Sequence, residues 1–122
     1  MGCRRFKKYE RELAELYEKL GIRYFDEHFC HCELMEKCCP DRCDMAEQEW
    51  VALLLNIASG KLELDCCVDE CHGNDDSAVT VLTAVQKINH FMSKHPRSEY
   101  HCTRAMALAS GINHGNLLCK DQ

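Results

Sequence analysis

The sequence has few helix-breaking residues and no long apolar run. Only two of its 122 residues are proline and six are glycine, so most of the chain is free to form regular secondary structure. Its ordinary content of hydrophobic and charged residues argues against disorder. No apolar run approaches the roughly 20 residues of a membrane helix, so we expect no membrane span. The length predicts a single domain over residues 1–122.

Familiar enzyme motifs are also missing. The chain has no Gly-rich phosphate loop, no Gly-x-Ser-x-Gly and no His-Glu-x-x-His. Its many carboxylates include no pair that stands out for acid–base catalysis. Because a cysteine–histidine nucleophile needs none of these motifs, the sequence leaves enzyme activity open while favouring a non-enzymatic protein.

Negative charge is concentrated in the middle of the chain. Residues 25–76 carry three Lys or Arg against fourteen Asp or Glu, whereas residues 1–24 and 77–122 are net basic. An acidic centre repels phosphate backbones, so we expect no general nucleic-acid binding. The basic start of the chain is not followed by an apolar stretch, which predicts no secretory signal and a cytoplasmic location.

Cysteine is the residue present in excess, at 11 of 122 positions. An odd number of cysteines cannot all pair within one chain, and a reducing cytoplasm favours metal binding over disulfide bonds. Eight of the cysteines lie in the acidic residues 25–76. Six of these form two copies of a Cys-Cys-x-x-x-Cys unit with Asp at the same position, Cys38–Cys43 and Cys66–Cys71. The duplication indicates a shared role for the two units.

Metal binding is the role that the duplicated unit favours. Residues four apart on a helix share a face, so Cys39 with Cys43, and Cys67 with Cys71, would each present two sulfurs. Two such pairs complete a tetrahedral four-thiolate zinc site, and the surrounding carboxylates favour a bound cation over a free thiolate. We therefore predict a structural zinc ion. The spacing leaves further candidate ligands, namely Cys38, Cys66, Cys30, Cys32, His28 and His72.

Three alternatives to structural zinc stay open. Disulfide bonds could join the two cysteine clusters. The chain could store or sense a thiophilic metal such as Cu(I), or it could be a metal-dependent enzyme with an open coordination position. The cysteines outside the clusters are expected to be ordinary core residues: Cys3, Cys102 and Cys119.

The spacing of apolar residues predicts a mainly α fold of about four helices. The first helix spans residues 4–20 and stops at Gly21. The strongest runs from Pro40 to Gly60, and its apolar second half should lie at the centre of the core. Two more follow, one capped within Asp75–Ser77 with an apolar face that reaches Met92, and one from Ser98 to Ser110.

Two segments between these helices are not predicted to be helical over most of their length. Residues 26–39 read as a cysteine-rich metal-binding loop, with one helical turn at Glu33–Lys37. Residues 61–66 alternate between polar and apolar, which predicts an extended segment or one strand of a short two-stranded ribbon.

Taken together, these features predict a small non-enzymatic binding or regulatory protein, similar in kind to an inhibitor or adaptor. A structural zinc would hold the helices, and an exposed surface would bind another protein or a small ligand. An oligomer is compatible with the sequence.

Overall fold

The structure, a computed structural model, describes residues 3–25, 29–68, 80–94 and 98–118. These residues include six helices: α1 Cys3–Lys8, α2 Glu10–Leu20, α3 His31–Met35, α4 Arg42–Ala58, α5 Val81–Met92 and α6 Glu99–Asn113. The mainly helical fold is confirmed, with six helices rather than about four. The four longer ones correspond to those predicted. Within the described ranges the only β-structure is two isolated bridges, Cys67 with Thr80 and Val68 with Leu118.

The first predicted helix is divided in two at Tyr9. The backbone of Tyr9 has φ −110° and ψ 19°, outside the helical region. Its N–H still donates to the carbonyl of Arg5, and its own carbonyl accepts from the N–H of Leu13 at 2.9 Å, so α1 and α2 follow each other without a loop. As predicted, α2 ends at Gly21, whose φ of 69° is a left-handed conformation that glycine adopts without strain.

Helix α4 lies at the centre of the core. Its fully buried side chains are Trp50, Val51, Leu53, Leu54 and Leu55, the apolar stretch that predicted a central helix. α4 packs on α6, and α6 in turn packs on α5. The buried residues of all six helices belong to one hydrophobic cluster, while the single domain over residues 1–122 stays a prediction. No helix in the described ranges is both long and apolar enough to cross a bilayer.

Helix α4 begins at Arg42, two residues after the predicted start at Pro40. The Asp41 carboxylate accepts from the N–H of Asp44 at 2.8 Å, and the Asp44 carboxylate accepts from the N–H of Asp41 at 3.0 Å. This reciprocal pair is a capping box, which satisfies two backbone donors at the helix start. Cys39 therefore lies outside the helix and does not share a helical face with Cys43.

The alternating residues 61–66 do not form a strand. Instead, the carbonyls of Leu64 and Cys66 accept from the N–H groups of Leu82 and Val81, both at 2.9 Å. Donors in the first turn of a helix have no partner within the helix. This connection, which contains a turn closed by the Cys66 N–H on the carbonyl of Glu63, therefore caps the start of α5.

Side chains also cap the last two helices. The Thr80 hydroxyl accepts from the N–H of Thr83 at 3.2 Å, and the Ser98 hydroxyl accepts from the N–H of His101 at 3.3 Å. Ser98 is the cap that the sequence predicts for α6. The residues predicted to cap α5, Asp75–Ser77, lie outside the described part of the chain, and that prediction is wrong because the N-cap of α5 is Thr80.

Helix α6 continues past Ser110, its predicted end, to Asn113. A Cβ atom at Gly111 would lie 2.5 Å from Cδ1 of Leu117. The glycine is therefore used for the close approach of Leu117 to the helix and not as a stop. The chain turns at Gly115, where φ is 77°.

Candidate functional site: an aromatic cleft

A cleft of about 510 Å³ lies between α1, α2 and α3. Phe6 of α1 and the apolar face of α2 form one wall of the cleft. The apolar residues of α2 recur at helical spacing, which places Leu13 and Tyr17 on that face. Phe25 and Phe29 line it further. α3 begins at His31, which lies within the same cleft.

The His31 ring is packed among aromatic side chains. Its centroid lies 5.5 Å from that of Phe6 and 6.0 Å from that of Tyr17, both stacked, and 5.1 Å from Phe29 in an edge-on arrangement. These separations are typical of favourable ring pairs. The imidazole is therefore held in place mainly by rings on several sides.

A hydrogen bond of 2.8 Å joins the Tyr17 hydroxyl to Nε2 of His31, and the imidazole tautomer decides which group donates. Burial raises the pKa of Tyr17 well above its usual value. Burial also lowers the pKa of His31, and the negative charge of Glu10 offsets part of that effect. At neutral pH the cleft therefore holds a protonated phenol hydrogen-bonded to an uncharged imidazole.

Phe25 connects the cleft to the core. Its ring lies 4.7 Å from that of Trp50, a fully buried side chain of α4, and 5.0 Å from that of Tyr24 in an edge-on arrangement. A residue that lines the cleft, Phe25, is therefore in direct contact with the single tryptophan of the chain.

The remaining side chains of the cleft are charged groups and cysteines. Lys7 and Glu10, of opposite sign, both line it. Cys30 is an exposed free thiol, and Cys32 is disulfide-bonded. The cleft is thus an aromatic cavity that contains one hydrogen-bonded polar pair, Tyr17 and His31. The opposite charges of Lys7 and Glu10 largely cancel.

The cysteines are placed differently from the predicted zinc site. Cys43, near the start of α4, forms a disulfide bond with Cys102 of α6, with Cα atoms 5.0 Å apart. Cys102 is fully buried, as expected for a core residue, but it is bonded. Cys67 is disulfide-bonded as well. In this structure Cys43 and Cys67 are therefore not available as thiolates.

The other predicted ligands are spread over the molecule. Cys30, Cys38 and Cys39 are exposed free thiols, and Cys66 is a half-buried one. Three further candidates lie outside the described residues: His28, Cys71 and His72. Among the side chains that the structure describes, no three His, Cys, Asp or Glu come together to hold a metal ion. The zinc site stays a prediction.

The reasoning from sequence missed the aromatic cleft. Three of the four phenylalanines lie within the first 29 residues, at Phe6, Phe25 and Phe29. Phe6 and Tyr17 fall within the helix predicted over residues 4–20, but nothing in the pattern relates that helix to the segment after Gly21. The clustering of aromatic residues near His31 is the signal that could have indicated a shared site.

A second groove, of about 580 Å³, lies between α4 and α6 and is lined by Met35, Met45 and Met106. Its polar side chains are largely engaged, since the Asn113 amide donates to the carbonyl of Glu49 at 2.9 Å. This methionine-lined groove provides a comparison surface for the cleft.

Comparison with known proteins gives no match: no family model matches the chain, and neither does any curated protein or solved structure.

Proposed function

We propose that the protein is a non-enzymatic binding module that takes a small, mostly apolar ligand into the aromatic cleft. The Tyr17–His31 hydrogen bond, set within a wall of aromatic rings, is the observation that carries this proposal. Small molecules bind in cavities of about 300–1,000 Å³ that are mostly apolar and contain a few placed polar groups. The cleft matches that description in size and lining.

The lining favours a neutral aromatic alcohol. A ring bound in the cleft against Phe6, Phe29 or His31 would gain about 0.5–1.5 kcal/mol for each aromatic pair beyond its burial. The Tyr17–His31 pair can offer one hydrogen bond to a hydroxyl group. Because Lys7 and Glu10 carry opposite charges, a strongly charged ligand gains little at this site.

In this proposal disulfide bonds hold the helices together, as in the disulfide-stapled alternative. The Cys43–Cys102 bond, which ties α4 to α6, favours this arrangement. A structural zinc ion is the second candidate, and the free thiols among its predicted ligands are Cys30, Cys38, Cys39 and Cys66. The cytoplasmic location, a protein partner and an oligomeric state stay predictions.

The proposal is tested by titrating p-cresol into the ¹⁵N-labelled protein and following amide shifts. We expect shifts at residues 6–17 and 29–32. Tyr17→Phe keeps the ring and removes the hydroxyl, so a lost hydrogen bond of about 0.5–1.5 kcal/mol should weaken binding roughly 2- to 10-fold. Met106→Ala, in the methionine-lined groove, is the matched control and should leave the Kd unchanged.

Two outcomes contradict the proposal. One is a set of shifts centred on the methionine-lined groove. The other is a Kd that neither Tyr17→Phe nor Phe29→Ala changes. The amide spectrum of each variant shows whether it remains folded, so loss of binding is distinguished from loss of structure.

A further inference from the structure

Cys38 and Cys39 form a pair of neighbouring exposed thiols in the connection between α3 and α4. Their sulfur atoms lie 3.5 Å apart, with the Cys39 thiol donating to that of Cys38. Neither thiol is disulfide-bonded. Two soft donors therefore face solvent 3.5 Å apart, close enough for both to reach one metal ion.

One carboxylate closes the loop that holds this pair. Oδ2 of Asp44 lies 2.9 Å from Nζ of Lys37 and also accepts from the N–H of Asp41 at 3.0 Å. The segment Lys37–Asp41 is thus tied at both ends to the same oxygen atom. Pro40 further restricts its backbone. The dithiol is therefore presented on a partly ordered loop.

We propose that Cys38 and Cys39 together bind one Cu(I) ion. Thiolates are the ligands that select Cu(I), and two of them suffice for a two-coordinate ion, whereas structural zinc takes four ligands. The described residues bring no third His, Cys, Asp or Glu to this pair. Ligand number thus favours Cu(I) over zinc at this loop. Rotation about χ1 of the two exposed side chains allows the sulfurs to move to opposite sides of the ion.

Binding exchanges protons and involves no electron transfer. One Cu⁺ replaces the S–H protons of both thiols, so two protons are released and the Cu(I)–dithiolate unit carries one negative charge. Lys37, the residue next to Cys38, is the neighbouring cation in the sequence, and its ammonium pairs with Asp44 at 2.9 Å. The site is separate from the aromatic cleft, since neither Cys38 nor Cys39 lines the cleft.

The test is anaerobic competition for Cu(I) between bathocuproine disulfonate and the full chain with its disulfides intact. Wild-type protein should withdraw one Cu(I) more per chain than the Cys38→Ser/Cys39→Ser variant. The Cys30→Ser and Cys66→Ser variants, which remove other free thiols, should keep that equivalent. The p-cresol affinity of the Cys38→Ser/Cys39→Ser and Cys66→Ser variants should stay unchanged, because none of these residues lines the cleft, so failure here is distinct from failure of the cleft.

Asp44 acts in this proposal as a positioning residue. Asp44→Asn should weaken Cu(I) binding by about 2- to 5-fold, which corresponds to the loss of the surface ion pair with Lys37 that ties the loop. Asp65→Asn, an exposed carboxylate outside the loop, should not. Equal Cu(I) uptake by wild type and the double serine variant overturns the proposal, as does an uptake of one ion per two chains.

Discussion

His31 is an imidazole that its neighbours keep uncharged. Its ring is half-buried among aromatic side chains, and burial lowers its pKa below the usual value near 6.5. The unfolded chain therefore binds a proton at this residue at a higher pH than the folded protein does. Stability from this residue is fully present above about pH 6.5 and falls as the pH drops toward the folded pKa.

We expect the free energy of unfolding to decrease on acidification below about pH 6.5, with part of the slope caused by His31. His31→Phe keeps a ring in the cleft and removes that part of the slope. It also leaves the buried Tyr17 hydroxyl without its partner, which should cost about 1–3 kcal/mol at pH 7.5. Urea unfolding at several pH values measures both effects.

The control is His90→Gln on the exposed side of α5. This variant should keep the slope of the wild type across the window in which His31→Phe loses it. A His31→Phe protein with an unchanged slope would show that burial of His31 does not contribute to the pH dependence.

At the scale of single residues, the sequence indicates which cysteines belong together but not which of them are bonded. The duplicated unit identified Cys38, Cys39 and Cys43 as a group with shared chemistry. It could not indicate that Cys43 pairs with Cys102, 59 residues away, because connectivity depends on which helices meet in space. The i, i+4 spacing predicts that Cys39 and Cys43 share a helical face. They do not, because the Asp41–Asp44 capping box starts α4 after Cys39.

At the scale of elements, local patterns were informative for the long helices. The apolar spacing predicted α2, α4, α5 and α6, since each buries one face or, for α4, most of its surface. The patterns were insufficient to predict the conformation of segments that depend on tertiary contacts. Residues 61–66 alternate like a strand, yet their carbonyls satisfy the first N–H groups of α5. No periodicity in the segment itself contains that information.

Gly111 is the clearest case of a tertiary contact within an element. Its replacement by Ala would place a Cβ atom 2.5 Å from Leu117, so Gly111→Ala should destabilise the protein by about 1–3 kcal/mol through overpacking. In a Leu117→Ala background the same change should stabilise it by up to about 1 kcal/mol, because alanine is the better helix former.

A double-mutant cycle in urea measures this reversal of sign. Its reference is the Leu117→Ala protein. If Gly111→Ala has the same effect in both backgrounds, Leu117 is not the reason for the glycine.

At the scale of the whole molecule, the question is what holds α4 and α6 together. Their contact buries the apolar face of α4, and the Cys43–Cys102 bond adds a covalent link between them. The sequence instead predicts that a zinc ion bound by thiolates holds the helices together. The two mechanisms differ in what removes them: a reductant for the disulfide, a chelator for the metal.

We expect the disulfide to contribute strongly to stability. Closing a loop with a sequence separation of 59 residues removes conformational entropy from the unfolded chain worth about 4 kcal/mol in the chain-entropy description. Cys43→Ala/Cys102→Ala should therefore lower the free energy of unfolding in urea by about 2–4 kcal/mol. Cys30→Ala, which removes an exposed free thiol, should change it by less than about 0.5 kcal/mol.

Two experiments distinguish the disulfide from the zinc ion: chelation of metal in vitro and alkylation of thiols in cells. If EDTA leaves the wild-type unfolding curve unchanged while the double alanine variant is destabilised, the disulfide carries the link. If EDTA destabilises the wild type and the variant does not differ from it, zinc does. Alkylation of thiols in denaturant with EDTA at the moment of cell lysis gives the matching result in vivo: if Cys43 and Cys102 stay unmodified, the bond forms in the cell. Because such bonds persist mainly in oxidising compartments, that protection would also argue against the predicted cytoplasmic location.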